Sequence, residues 1–177
     1  MDAAISCVQR WGIEKTGLND IAREAGCARQ TVYNYYKNRD AVIFAALMDS
    51  GAHFSIDLIR HINRFEKTDD RIIEAMIYTL KHLPKEPSLQ LLMDPKLSPS
   101  LNPELFSYEL CIETITHIAT ECLKNEPHLL GEAEEIGEMM TRMFLSLLLI
   151  KSPRARNDKQ MRQFLHRWLL PGILGSR

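Results

Sequence analysis

Side chains able to hydrogen-bond to DNA are concentrated between residues 26 and 39. The segment GCARQTVYNYYKNR contains three basic residues and no acidic one, although the whole chain has a formal net charge of −1. Arginine pairs with guanine edges and glutamine or asparagine with adenine edges in the major groove, while basic and hydroxyl groups contact phosphates. The segment therefore predicts a DNA-contacting surface. Its candidate residues are Arg29, Gln30, Thr31, Tyr33, Asn34, Tyr35, Lys37 and Arg39.

The spacing around this segment predicts two short helices joined by a tight turn. Val32 and Tyr36 are four residues apart, so they share the face of the second helix that anchors it. Ala22 and Ala25 are small enough for two helices to cross closely, and Gly26 allows the positive φ at which the first helix ends. Two short helices with a tight turn between them, the second anchored by one face and polar on the other, predict a helix-turn-helix. The alternative is an ordinary three-helix surface with scattered polar residues.

The same stretch resembles the DNA-binding domain of the TetR family of bacterial repressors over roughly residues 3–47. The positions that carry the resemblance are Gly12, Ile13, Thr16, Gly17, Leu18, Ile21, Ala22, Ala25, Gly26, Thr31, Val32, Tyr33, Tyr36, Asn38, Arg39 and Asp40. The resemblance implies a helix-turn-helix domain at residues 1–47 and a helical effector-binding and dimerisation domain at residues 48–177. It also adds Thr16 to the expected DNA contacts.

The resemblance divides the DNA-contacting residues by role. Arg29, Gln30 and Asn34 lie early on the outward side of the second helix and are expected to reach base edges. The positions at which the family contacts phosphates are Tyr33, Tyr35, Lys37 and Arg39.

Two helix caps depart from the family pattern. Gly17 replaces the usual serine or threonine, but Asp20 is three residues on and can still accept from the cap amide. Ala28 replaces the usual serine at the recognition helix and cannot accept a hydrogen bond from the first turn, which costs about 0.5–2 kcal/mol. Asn38 is an intact cap for the next helix.

Beyond the motif, the chain is expected to be all-α. Its 177 residues are 45% hydrophobic, glycine and proline are few, and alternating β-branched runs are absent. Apolar residues recur at helical spacing. The predicted helices span about residues 38–65, 68–83, 103–124, 131–150 and 158–170, with a proline-rich loop at 94–103.

The resemblance implies a homodimer in which the last two long helices pair with their copies as a four-helix bundle. These helices carry more apolar surface than one small domain needs. The alternative is that they form a monomeric core. The expected interface residues are Phe144, Leu147, Leu148, Phe164, Leu165 and Trp168.

The middle helices are expected to enclose a small, mainly apolar effector, as in the family. A lining rich in methionine and aromatic side chains suits a flexible apolar site, and a strongly anionic effector is disfavoured because arginine and lysine are sparse on the apolar faces. The alternative for each residue is plain core packing. The candidates are Met76, Tyr78, His82, Met93, Phe106, Tyr108, Cys111, His117, Met139 and Met143.

Other functions have less support in the sequence. The four cysteines and six histidines have no zinc spacing, and we expect no metal, cofactor or catalytic residue. Cys27 beside the recognition helix leaves open a redox-sensing regulator on the same scaffold, and an α-helical enzyme is the remaining alternative. The residues after Met1 lack the apolar region of a secretory signal, and no apolar run approaches the ~20 residues of a membrane span. We therefore expect a cytoplasmic protein without a membrane partner.

Overall fold

A computed structural model describes residues 2–12, 14–86, 108–150, 152, 154 and 156–175. Within the range 108–150, side chains are described from Ile112 onward. The described residues contain helices and no strand, which confirms the all-α expectation. The α-helices are α1 (Asp2–Trp11), α2 (Leu18–Glu24), α3 (Arg29–Tyr35), α4 (Arg39–Ile62), α5 (Thr68–His82), α6 (Tyr108–Leu123), α7 (Ala133–Leu149), α8 (Asp158–Trp168) and α9 (Leu170–Leu174). Short 3₁₀ turns follow α5 at Leu83–Lys85 and precede α7 at Pro127–Glu132.

The chain forms two compact units, and the division lies inside α4. Of the described residues, the first unit comprises those up to residue 53 together with 84–86, and the second comprises residues 54–83 and those from 108 onward. The beginning of α4 belongs to the first unit, because Val42 and Ala46 pack into the core of the helix-turn-helix. The predicted domain boundary at residue 47 stays a prediction.

The core of the first unit is small and is built by α1, α2, α3 and the start of α4. Cys7, Ile21, Val32 and Ala46 are among its buried members, and Tyr36 packs against it from a partly buried position. Val32 is the buried residue of α3, and together with Tyr36 at the C-cap it holds the recognition helix against the other helices.

The turn between α2 and α3 is closed by backbone hydrogen bonds around Gly26. The Gly26 amide donates to the Arg23 carbonyl at 3.2 Å, and the Cys27 amide donates to the Ala22 carbonyl at 3.0 Å. This pair of bonds is the Schellman motif, which needs a left-handed residue just past the helix end. Gly26 supplies it with φ +65°, as the sequence predicts.

The three predicted caps have the expected chemistry. The Gly17 amide donates to Asp20 Oδ2 at 3.0 Å, and the Ala41 amide donates to Asn38 Oδ1 at 2.8 Å. Ala28 has the extended backbone of a cap residue but no side-chain hydrogen bond. The first turn of α3 is therefore the weakly capped one.

Within the described residues, α4 is the helix that is long and apolar enough to cross a membrane by length and composition. A core helix of a soluble protein passes the same test. Ile43 and Ala46 of α4 are buried, as are Leu58 and Ile62 near its other end. The apolar side chains of α4 are thus partly used by the protein's own packing.

The second unit is a helical core in which α6 and α7 cross closely. The crossing point is Gly137, where an added Cβ would lie 2.7 Å from Ile115 Cγ2 and 3.1 Å from the Ile115 carbonyl oxygen. Glycine is required here by the approach of the two backbones and not by its φ angle. Leu123, Met140 and Leu165 are among the buried residues around this crossing.

A buried arginine ties helix ends together in the second unit. Arg71 Nε donates to the Phe65 carbonyl at 2.7 Å, and its Nη1 donates to the Glu121 carbonyl at 3.2 Å. Both acceptors lie at or just beyond the ends of helices, where carbonyls have no intrahelical partner. Arg71 therefore donates to two partly buried carbonyls at the ends of α4 and α6.

A largely buried carboxylate joins three helices of the same unit. Glu74 Oε1 accepts from Arg162 of α8 at 2.6–2.7 Å, and His61 of α4 lies 3.3 Å from Glu74 Oε2. Beside it, Lys81 donates to the exposed Asp158, and this hydrogen bond holds the pKa of Asp158 below its usual value. The bonds link α5 to the end of α4 and to α8.

Helix ends differ from the predicted ones where the chain contains proline and glycine. The last predicted helix ends at about residue 170, but the structure has a further short helix, α9, which contains Pro171 and Gly172. Proline fits the first turn of a helix because its missing amide has no partner there anyway. Gly131 was expected to open the penultimate helix, but it lies in the preceding 3₁₀ turn.

Candidate DNA interface

The outer face of α3 presents a continuous set of polar and aromatic side chains. Val32 is buried, whereas the neighbouring Gln30, Asn34 and Tyr35 are exposed. Tyr35 is 78% exposed, which is unusual for an aromatic residue without a partner to cover it. The predicted members of this face that are exposed are Arg29, Gln30, Thr31, Tyr33, Asn34, Tyr35 and Lys37.

Side chains four residues apart on α3 contact each other in pairs. Arg29 Nη2 donates to the Tyr33 hydroxyl at 2.8 Å, and the Arg29 guanidinium carbon lies 4.9 Å from the centre of the Tyr33 ring. Gln30 Nε2 donates to Asn34 Oδ1 at 3.2 Å. Neighbours at this spacing face each other on a helix, so the sequence could have suggested these pairs.

Arg39 is less available than the sequence suggests. Its Nε donates to Asp40 Oδ1 at 2.8 Å, and its Nη1 lies 3.5 Å from the Glu14 carbonyl oxygen. Its side chain is partly buried. A contact with phosphate would compete with the Asp40 carboxylate, so Lys37 is the better candidate for a phosphate contact.

Thr16 lies inside the first unit and not on its surface. The side chain is 1% exposed, and its hydroxyl donates to the Gly12 carbonyl at 2.8 Å. The expected DNA contact of Thr16 has no support in this placement. Its role here is to hold the turn between α1 and α2.

Cys27 is exposed in the turn before α3, whereas Cys7 and Cys122 are buried. Burial raises the pKa of the Cys7 thiol, and burial raises the pKa of Cys122 to about 12. These two buried thiols therefore remain protonated and unreactive at neutral pH. The redox alternative at Cys27 stays a prediction.

The residues expected to line a ligand pocket are distributed over different environments of the second unit. Met76 is buried in the core, while His82 and His117 are exposed. Tyr78 stacks on His82 with ring centres 4.3 Å apart. Met139 and Met143 pack against the core from partly buried positions.

Four of the pocket candidates lie wholly or partly outside the described residues. Met93 and Phe106 lie outside the described residues, and Tyr108 and Cys111 have a described backbone but no described side chain. In the described part of the chain, no three histidine, cysteine, aspartate or glutamate side chains come together as metal ligands.

The expected dimer residues divide into core and surface. Phe144 and Leu165 are buried within the second unit itself, so they are core residues and not free interface residues. Leu147, Leu148 and Phe164 are partly buried against that core. Trp168 is 60% exposed and is the one member of the expected set that lies on the surface.

Three exposed apolar residues near the end of α7 were missed. Leu145, Leu149 and Ile150 are exposed, the last two by 60% and 68%. Glu138 and Arg142, which form an ion pair, precede Leu145 and Leu149 on one stripe of the helix. Since the second half of α7 is apolar nearly all round, its hydrophobic period could not separate the inner face from the outer one. The charged pair could have done so.

The fold and site define a helix-turn-helix protein with a helical C-terminal unit. Residues 1–46 match the sequence profile of a family described as bacterial regulatory proteins, tetR family. Residues 1–46 are therefore similar to the N-terminal domain of that family, as the resemblance predicted.

Solved structures of low sequence identity are similar in fold to nearly the full length of this chain. AlkX, a TetR family repressor from Dietzia sp. strain DQ12-45-1b, is 18% identical with a TM-score of 0.64, over 97% of this chain and 94% of AlkX. AibR, solved with isovaleryl coenzyme A and operator DNA, is 13% identical with a TM-score of 0.54, over 96% of this chain and 95% of AibR. At this level of identity, the similarities show the fold alone.

A curated relative is an uncharacterised HTH-type transcriptional regulator of Mycobacterium tuberculosis. It is 26% identical over 89 residues, which is 50% of this chain and 44% of the relative. This chain thus matches a little under half the length of that relative.

Proposed function

We propose that this chain is a cytoplasmic transcriptional regulator that binds a palindromic operator as a homodimer and releases it when a small, mainly apolar effector binds. The observation that carries the proposal is the outer face of α3. Its exposed arginine, amide and tyrosine side chains surround one buried anchor, Val32. A helix held in this way can enter the major groove without exposing apolar surface.

Sequence reading is tested by selecting DNA from a randomised library with the purified protein. We expect a palindrome whose half-sites lie near one or more helical turns apart, because a twofold dimer presents two copies of α3. Gln30→Ala should relax the preference at one position per half-site, since an amide–adenine pair discriminates by about 1–3 kcal/mol. Failure of the unmodified protein to enrich any sequence would contradict the proposal.

Phosphate contacts are tested with Lys37→Ala at two salt concentrations. Affinity should fall about equally for all sequences, and the salt slope should decrease by about two charges per dimer. Arg39→Ala should have a smaller effect, because Arg39 already pairs with Asp40 at 2.8 Å. A change in the selected sequence caused by Lys37→Ala, with Gln30→Ala leaving it intact, would reverse the assigned roles.

The homodimer is supported by exposed apolar residues of α7 and α8. Trp168→Glu and Leu149→Glu place a charge on positions that are 60% exposed in the single chain, so each variant should fold. If these residues are covered by a second copy, the charge has no partner in the interface and should dissociate the dimer. Sedimentation should then show a monomer.

The matched control for the dimer is Ile56→Glu, at an exposed apolar position of α4 outside the proposed interface. This variant should sediment as the unmodified protein does. Folded dimers of both Trp168→Glu and Leu149→Glu would contradict the interface, and a monomeric Ile56→Glu would move it to α4.

The proposed effector is a small, mainly apolar molecule bound by the second unit. Partly buried methionine and aromatic side chains in the second unit suit an apolar ligand. AibR was solved with isovaleryl coenzyme A, in which an apolar acyl group is joined to an anionic coenzyme A part, so this compound is the first to test. Release of the selected operator should depend on the acyl group, with free coenzyme A as the control. Equal release by free coenzyme A would instead indicate recognition of its anionic part.

A further inference from the structure

Tyr33 makes a contact within the protein that its expected role, binding a DNA phosphate, does not explain. Its hydroxyl accepts a hydrogen bond from Arg29 Nη2 at 2.8 Å, and its ring lies under the same guanidinium at 4.9 Å. Both side chains are exposed on α3, so burial does not force the pairing. The tyrosine therefore acts on a neighbouring base-reading residue before any DNA is present.

The two contacts restrict the arginine in complementary ways. The hydrogen bond fixes one edge of the planar guanidinium, and the ring fixes the plane, because a cation is attracted to the face of an aromatic ring. A free arginine has many rotamers, and an ordered one loses less conformational freedom when it binds. Since the tyrosine hydroxyl is the acceptor, the other arginine donors are left to form the fork that matches a guanine edge.

We propose that Tyr33 is a positioning residue for sequence reading: it holds the Arg29 guanidinium along α3, so the base selected by Arg29 depends on the Tyr33 hydroxyl. The inference rests on the proposed DNA-binding function. The neighbouring Gln30–Asn34 pair provides an internal comparison, because its 3.2 Å hydrogen bond does not involve Tyr33.

Tyr33→Phe is the variant that separates positioning from phosphate binding. It keeps the ring and removes the hydroxyl. The base position read by Arg29 is first identified with Arg29→Ala, and the position read by Gln30 with Gln30→Ala. Tyr33→Phe should weaken discrimination at the Arg29 position by about 3- to 10-fold, the usual effect of one hydrogen bond. It should leave the Gln30 position unchanged.

The double variant decides between the two roles. If Tyr33 acts through Arg29, Tyr33→Phe should have no further effect in the Arg29→Ala background. If Tyr33 instead contacts a phosphate, the loss should be equal for all DNA sequences and should persist in that background. The second result would overturn the inference while leaving the proposed function intact.

A measurement on the protein without DNA keeps the inference independent of the proposed function. Rotation of the Arg29 guanidinium, followed by nitrogen-15 NMR, should be slower in the unmodified protein than in Tyr33→Phe. Equal rotation in both would overturn the positioning role. If the unmodified protein selects no DNA sequence, the proposed function fails and the NMR comparison still decides whether Tyr33 restrains Arg29.

Discussion

Two helical glycines, Gly137 in α7 and Gly51 in α4, should respond in opposite directions to replacement by alanine. At Gly137 the new methyl group would lie 2.7 Å from Ile115 Cγ2, 3.1 Å from the Ile115 carbonyl oxygen and 3.4 Å from Ala119 Cβ. At Gly51 it would meet no atom within 4 Å. Neither glycine has a positive φ angle, so the difference between them is packing alone.

The expected magnitudes follow from two opposing effects. Alanine is preferred over glycine inside a helix by about 0.8–1 kcal/mol, so Gly51→Ala should stabilise the protein by nearly that amount. Overpacking a closely packed contact costs about 1–3 kcal/mol. At Gly137 the overpacking should win, because a backbone carbonyl cannot rotate away as a side chain can. We expect a net loss of about 1 kcal/mol for Gly137→Ala.

The assay is urea unfolding followed by far-ultraviolet circular dichroism at one fixed protein concentration, since dimerisation would make stability depend on concentration. Ile115→Leu moves the side-chain branch away from the backbone at nearly constant volume. Combined with Gly137→Ala, it should recover part of the loss, and the carbonyl contact should keep the recovery incomplete. If Gly137→Ala is as stabilising as Gly51→Ala, the close crossing of α6 and α7 is wrong.

Three further variants test single features of the two units. Ala28→Ser should raise stability by about 1 kcal/mol in the same urea assay, because it supplies the missing cap of α3, and an unchanged midpoint would count against that cap. Arg71→Met should cost about 3 kcal/mol, because it leaves two partly buried carbonyls without the arginine donors. Arg71→Lys should recover only part of this loss, and a neutral result would show that water replaces the arginine. Stability should fall as pH rises from 9 towards 12, because the Cys122 thiol ionises near 9.0 when unfolded but only near 12 when folded. The slope from this group is at most about 1.4 kcal/mol per pH unit, and Cys122→Ala should reduce it; an equal slope would exclude Cys122 as the cause.

Local sequence patterns predicted the helix-turn-helix well, because the residues that determine its turn and its buried face lie close together in the sequence. Gly26 needs only its own φ angle to end α2, and Val32 needs only helical spacing to face inward. Thr16 shows the limit of such reasoning. A threonine before a helix can aim its hydroxyl at a ligand or at a carbonyl four residues back, and its residue type is the same in both cases. The 2.8 Å bond to the Gly12 carbonyl decides the question only in the folded chain.

The second unit was harder to predict because its decisive contacts join distant parts of the chain. Arg71 bonds a carbonyl at Glu121, fifty residues away, and Arg162 reaches Glu74 across eighty-eight residues. The periodicity of apolar residues within one helix cannot predict contacts between residues so far apart in the sequence. Contacts between distant parts of the chain also explain why Phe144 was expected at an interface. On a helix that is apolar nearly all round, only the residues that pack against it in the folded chain decide whether an apolar side chain lies in the core or on the surface. Tyr33 is the opposite case, since its partner Arg29 is one helical turn away and each residue was first given a separate role. Within a short recognition helix, side chains four residues apart should therefore be considered as pairs before they are assigned singly to bases or phosphates.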